Sequence, residues 1–340
     1  MSLELYREYP SPSEEADMKE LTELTLRTLR IKYVQGLQQR DTHAKGLATV
    51  KGTFTIEPNL PEELRVGLFS KEKTYNCVCR FSNTDPNPKA DIENDMRAIS
   101  IKLMGVEGEM LWTDDKEAGT MDLLMMTAQT FITPDIRTFI TLQTNLLHVY
   151  QSPLLGNLKL IWFFVTHPGT MGRVLRSEIQ FANLVEVPYF SETAYRFGEK
   201  AVQYKLQPHK KATSRLPGAG APNNFLNDRL REDLAAGDVV FDFMVHMQVD
   251  ADKMPIEDAS VPWSETLSPP KKVATLRLQK QDVAPPGLHT TGEFMTFNPW
   301  RTLPEHRPLG WCNRVRLSIY QAISEFRHSR NGMKDPEPRA

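Results

Sequence analysis

With 340 residues, 40% of them hydrophobic and 25% charged, the chain can build one large globular domain or two ordinary ones around a real core. A formal net charge of −2 leaves no footprint for nucleic acid, and the polar, acidic N-terminus (1–19) lacks the apolar core of a signal peptide. The three cysteines, Cys77, Cys79 and Cys312, have neither zinc-ligand nor C-x-x-C spacing, which suits a reducing, cytoplasmic setting.

In chain order, residues 14–38 are predicted as a helix. Ser13 stands at its start, and Leu21, Leu24, Leu26, Leu29, Ile31 and Val34 form its stripe. Residues 38–43 break that period, and after Gly46 the alternation becomes two-fold, predicting a strand. Further strands are predicted at Tyr75–Ser82, Ala98–Leu103 and Met121–Met126, with an Asp-, Asn- and Pro-rich loop at 83–94. Pro134 opens a helical stretch that runs to about Phe181, broken at Pro153 and at Pro168-Gly169. Strand patterns return at Ala194–Leu206, Val239–Val249 and Lys272–Gln279, separated by Pro and Gly loops at 216–222 and 284–287. There is no internal repeat, no G-x-G-x-x-G after a strand and no P-loop. Strands grouped on either side of a helical insert predict an α+β fold with an antiparallel sheet, open to closure as a barrel.

The longest apolar run, Leu158–Val165, is too short to span a bilayer. It reads either as a buried helix or as a surface touching a membrane, and runs of this length are ordinarily buried.

Two polar constellations stand out. Arg40-Asp41-Thr42-His43-Ala44-Lys45-Gly46 joins the first helix to the first strand; alone it is a polar connection that contains a histidine. Near the C-terminus, Cys312–Arg327 holds neither Pro nor Gly, and Val315, Ile319, Ile323 and Phe326 give it helical rhythm. At about 100° per residue, Arg316, Tyr320 and Arg327 fall within about 40° of azimuth. A phenol between two guanidiniums is favoured as phenolate, a hard anionic ligand for ferric iron. Alone, the same spacing also fits an amphipathic helix with surface arginines.

Together these stretches resemble the haem-dependent catalase family. An Arg-x-x-His-Ala-Lys-Gly run enters that family's first barrel strand, and Arg-x-x-x-Tyr with an Arg seven residues on is its proximal signature; here these are Arg40 to Gly46 and Arg316, Tyr320, Arg327. Arg80-Phe81-Ser82, Asp95-Met96-Arg97 and Asp122-Leu123 with Phe131 and Phe139 keep the family's intervening order. The resemblance covers about 37–330. It implies an antiparallel eight-stranded β-barrel with flanking helices, an N-terminal arm at 1–36, a helical insert at about 134–182 and a loose tail at 331–340.

It also implies haem b with Tyr320 as the iron ligand and His43 as distal acid–base. Arg316 would keep Tyr320 ionised at neutral pH, Ser82 would bond the imidazole, and Arg40, Arg80 and Arg327 would meet the haem propionates. Phe131 and Phe139 would line the pocket or the porphyrin, or else serve as core. The family's distal Asn is missing: Met126 or Thr127 stands in its place. Thr42 precedes the histidine where catalases carry an aliphatic residue, a pairing that resembles the catalase-like allene oxide synthases. The chain stops just after the terminal helix, without the Tyr-Pro-Asp-Thr run that follows the family's ligand, so it is similar above all to the minimal catalase-related peroxidases. The implied substrate is a small-molecule or lipid hydroperoxide, organic rather than hydrogen peroxide. The alternatives are a small catalase or hydrogen-peroxide peroxidase, and a haem-binding protein without activity. Peripheral membrane contact and homo-oligomers stay open.

Overall fold

The computed structural model describes residues 3–35, 38–112, 119–218, 220–284 and 291–332. Helix α1 (Glu14–Lys32) precedes four strands, β1 (Gly46–Ile56), β2 (Thr74–Asn83), β3 (Arg97–Met104) and β4 (Thr120–Met126). The insert holds α2 (Ile136–Gln151), α3 (Pro153–Thr166) and α4 (Pro168–Ser177). Then come β5 (Tyr189–Phe190), β6 (Tyr195–Phe197), β7 (Lys200–Pro208), α5 (Phe225–Ala236), β8 (Val239–Met247), β9 (Lys271–Leu278), the single turn α6 (Thr291–Phe294) and α7 (Trp311–Asn331).

The strands run in the order β5-β4-β3-β2-β1-β9-β8-β7, and β5 pairs with β7 to close the ring; β6 hangs on β7 as a hairpin. Every pairing is antiparallel. This is the predicted eight-stranded barrel, and closure removes its sheet edges.

Several boundaries differ from the sequence reading. The first helix ends at Lys32, and Val34 beyond it is exposed. The single strand expected over Ala194–Leu206 is the β6–β7 hairpin, turned at Gly198, whose φ of 63° suits glycine. Two-residue β5 and helix α5 went unpredicted, although Leu226, Leu230 and Leu234 form a buried stripe on α5. The loop at 284–287 and the tail lie almost wholly outside the described residues.

Two-fold alternation decides what each strand faces. Cys77, Cys79 and Phe81 of β2, Ile99, Ile101 and Leu103 of β3, and Met121, Leu123 and Met125 of β4 belong to the main apolar core. There they join Phe54, Phe69, Tyr189, Phe241 and Phe243, with Phe54 and Phe243 edge to face at 5.1 Å. The other residues of the same strands point outward, and α7 lies over part of that outer wall.

The seating of α7 is fixed at its first turn. Gly310 has φ 83°, and a Cβ there would come within 2.5 Å of the Ile256 carbonyl, so the entry requires glycine. The Arg314 guanidinium then binds Glu8, Glu14 and Glu257 together. Behind this anchor, Leu21 of α1, Ile136 and Ile140 of α2, and Trp311, Cys312 and Val315 of α7 form a second apolar cluster.

Candidate functional site

The outer wall of β2–β4 forms the floor of a cavity. Register sets its rows: Arg80, Ser100 and Leu124 lie abreast, and beside them Ser82, Ala98 and Met126. The small side chains of Ala98 and Ser100 leave the depression between larger neighbours. The next row, Val78, Lys102 and Asp122, is closed by ion pairs: Lys102 and Arg301 both hold Asp122, at 2.7 and 3.2 Å. The Asn298 backbone N–H also donates to Asp122, which fixes the segment bringing Thr296 and Phe297 into the lining.

Arg40, Asp41, Thr42 and His43 border this floor from the loop before β1. His43 has φ 60°, a left-handed conformation that costs roughly 1–2 kcal/mol outside glycine. Three contacts hold it there. The His43 N–H donates to the Thr84 carbonyl at 3.2 Å, Arg80 Nη2 donates to the His43 carbonyl at 2.9 Å, and Nδ1 lies 3.1 Å from Ser82 Oγ. With Nδ1–H donating to Ser82, Nε2 offers its lone pair to the cavity. Burial, then the charges of Arg80, Arg40 and Arg316, push the imidazole pKa down to about 3, so His43 is neutral at ordinary pH. Asp41 is pushed up to about 6 by burial, against the pull of Lys32.

Opposite the floor, α7 contributes Arg316, Tyr320, Ile323, Ser324 and Arg327, one face of a helix by their spacing. An imidazole from the start of the chain and a phenol from its end thus line one cavity. Two expectations about the phenol are corrected. Burial holds the Tyr320 pKa above its ordinary value, and the Arg316 charge only opposes this, so the protein alone leaves the phenol protonated. Nor does Tyr320 stand between two guanidiniums in effect. Arg327 turns to the backbone carbonyls of Glu293 and Met295, and Arg316 is the cation that acts on the phenol.

Arg40, Arg80 and Arg327 do cluster, and they do so around Glu293. Its carboxylate accepts from Arg40 Nη1 at 2.8 Å and from Arg80 Nη2 at 2.6 Å. Burial raises the Glu293 pKa, but Arg80 and Arg40 outweigh it and hold the group below the usual carboxylate range. Arg316 lies in a second network: Asn313 Oδ1 at 3.2 Å, Thr193 Oγ1 at 3.5 Å and Glu192 Oε2 at 4.0 Å. Glu192 also has a left-handed backbone, φ 59°, and lines the cavity. Its Oε2 is buried without a hydrogen-bond partner among the described residues, and burial pushes its pKa up to about 8 against Arg316.

Three expected site residues stand elsewhere. Phe131 and Phe139 pack on Trp311 with ring centroids 5.7 and 6.2 Å away, as core between α2 and α7. Thr127 exchanges hydrogen bonds with the Arg97 backbone, its Oγ1 accepting at 3.0 Å. Of the two positions aligned with the missing amide, Met126 lines the cavity and Thr127 does not. Ser82 lies behind His43. The sequence reading missed Glu192, Glu293, Thr193 and Asn313; each sits in a loop or first turn, where no period marks it.

No family model matches the chain, and no curated protein matches it. Solved structures do. A fungal catalase superposes with a TM-score of 0.68 at 18% identity, over 92% of this chain and 63% of its own. Catalase A from Saccharomyces cerevisiae gives 0.69 at 19%, over 92% and 66%. A bacterial catalase gives 0.66 at 15%, over 96% and 63%. This chain spans less than two thirds of the length of each. At these identities the likeness concerns architecture, and the closed barrel with α7 laid over its outer wall is the catalase fold.

Proposed function

We propose that this chain is a haem enzyme of the catalase superfamily that acts on hydroperoxides, organic ones in preference to hydrogen peroxide. The observation that carries this reading is the meeting of His43 and Tyr320 on one cavity, with a guanidinium cluster at its edge. The donor set fits a haem. Tyr320 is a hard oxygen ligand of the kind that holds iron in catalases. Arg40 and Arg80 already grip one carboxylate, Glu293, as they would grip a propionate.

Bound there, haem would supply the redox chemistry that cleaves the peroxide O–O bond. The remaining work belongs to the chain. Neutral His43, oriented through Nδ1 by Ser82, accepts the hydroperoxide proton at Nε2 and returns it to the leaving oxygen. Tyr320 would hold the iron as its anion, and Arg316 would offset that charge. Ala98, Leu124, Met126 and Ile323 present apolar surface to the substrate. Met126 in place of an amide removes a group that would orient a small second peroxide. Thr42, beside His43 at the cavity, adds a hydroxyl. Three free, buried cysteines agree with a cytoplasmic setting.

The names of the structural neighbours favour a second reading, turnover of hydrogen peroxide itself. Oxygen evolution from hydrogen peroxide, set against loss of the conjugated-diene absorbance of a fatty-acid hydroperoxide, separates the two. On the proposed reading the diene is consumed faster. His43→Ala keeps the haem spectrum and loses about 10² to 10⁴ in rate, whereas Tyr320→Phe loses tyrosinate ligation. A haem-loaded protein whose spectrum ignores Tyr320→Phe overturns the assignment.

A further inference from the structure

The expectation that Leu158–Val165 is buried fails, and the failure is informative. Helix α3 packs one face on α2. At Gly156 the backbones are so close that a Cβ would lie 2.3 Å from Val149 N, and Phe163 is buried against His167. The other face is bare. Leu154, Leu155, Leu158, Ile161, Trp162 and Val165 are each between 56% and 75% exposed. Their spacing makes one continuous stripe, whereas most other exposed large apolar residues are scattered singly.

Charge narrows what can cover this stripe. None of the chain's 43 acidic residues falls between Ile136 and Ser177, while Lys159, Arg173 and Arg176 do; Arg137, also there, is answered by Asp17 and Glu20 of α1. Lys159 is exposed and stands at the stripe's edge, about 40° of azimuth from Leu155 and about 60° from Trp162. Leu175 and Arg176 continue the exposed apolar and cationic character on α4. A second copy set face to face would bring cation against cation, with no carboxylate on these helices to answer. Phosphate headgroups would answer it, and Trp162 carries the amphipathic ring that settles at the water–lipid boundary. No helix among the described residues is long and apolar enough to cross a membrane; a 14-residue helix with one bare apolar face has the build to lie along a bilayer.

We infer that the outer face of α3 is a docking surface for anionic lipid bilayers. The inference is independent of the catalytic reading.

The test is sedimentation of the full chain with sucrose-loaded vesicles, of phosphatidylcholine alone or mixed with phosphatidylglycerol. Wild type sediments with the mixed vesicles, and Trp162 fluorescence shifts to the blue, as judged against Trp162→Phe. Ile161→Ser with Trp162→Ser abolishes binding while circular dichroism and the absorption spectrum with haem stay unchanged, because both side chains are already exposed. Lys159→Ala weakens binding about five-fold, the fold-change for roughly 1 kcal/mol per basic residue near such a surface. Three results overturn the inference: no sedimentation at low salt, equal binding to neutral vesicles, or a dimer in ultracentrifugation that the double substitution dissolves without any vesicle binding.

Discussion

Two carboxylates meet opposite fates: Glu192 lines the cavity, and Glu293 is held by Arg40 and Arg80, which line it. Glu293 has two guanidiniums at hydrogen-bond distance and stays ionised. Glu192 has one guanidinium at 4.0 Å and an oxygen without a partner, and it holds its proton to about pH 8. Burial penalises both alike. The number and closeness of the donors decide, because charge–charge attraction repays desolvation only when geometry and further hydrogen bonds are good. The cavity therefore has a charged corner built by Arg40 and Arg80, and a neutral acid beside Arg316.

The largest effect is expected when the charged corner is opened. Arg80→Met removes two of the three guanidinium N–H donors to Glu293 and leaves only Arg40's, and an expected cost of about 3–5 kcal/mol in urea unfolding follows. Adding Glu293→Gln to that variant recovers part of the loss; if the double variant is worse than the single one, the two side chains are not coupled as described.

His306 sharpens the rule with a group of the other sign. It is fully buried, accepts from the Leu68 N–H at 3.0 Å through Nε2, and has its pKa pushed down to about 4, burial being the main cause. The unfolded chain protonates near 6.5. Between these values the unfolded state binds the extra proton, so stability is complete above about pH 6.5 and falls as pH drops toward 4. The loss amounts to about 3 kcal/mol from this residue. Unfolding free energies measured at pH 7 and pH 4 check it, with His306→Gln removing that part of the acid limb. Smaller again, Glu293→Gln alone replaces charge-assisted bonds by neutral ones and costs about 2 kcal/mol.

The sequence made some of this architecture legible. Two-fold alternation in β2–β4 and the helical spacing of Arg316, Tyr320 and Arg327 place residues by geometry alone, and the structure keeps them on common faces. Family resemblance added the link between the two ends of the chain. What could not be read depends on loops and on neighbours. His43 and Glu192 adopt left-handed backbones that non-glycine residues rarely take, and no pattern announces them. Glu293 lies in a four-residue turn. Phe131 and Phe139 kept the expected spacing, yet Trp311, on another element, drew both into the core. For α3, an apolar run tells that a helix seeks cover but not whether the fold provides it.

The gentlest test touches the neutral acid. If Glu192 is protonated, Glu192→Gln replaces a carboxylic acid by a near-isosteric amide of the same charge, and at pH 5 the change in unfolding free energy stays within about 0.5 kcal/mol. Glu192 titrates near 4.5 when unfolded and near 8 when folded. Between those values the folded state binds the extra proton, so wild-type stability falls as pH rises through this window. The glutamine variant has nothing to titrate there, so the gap between the two proteins opens in its favour toward pH 8. A glutamate ionised by Arg316 would give the reverse: a clear loss in the variant at pH 7, and no opening gap. That outcome would make Glu192 a second Glu293 and dissolve the contrast between the two arginine networks.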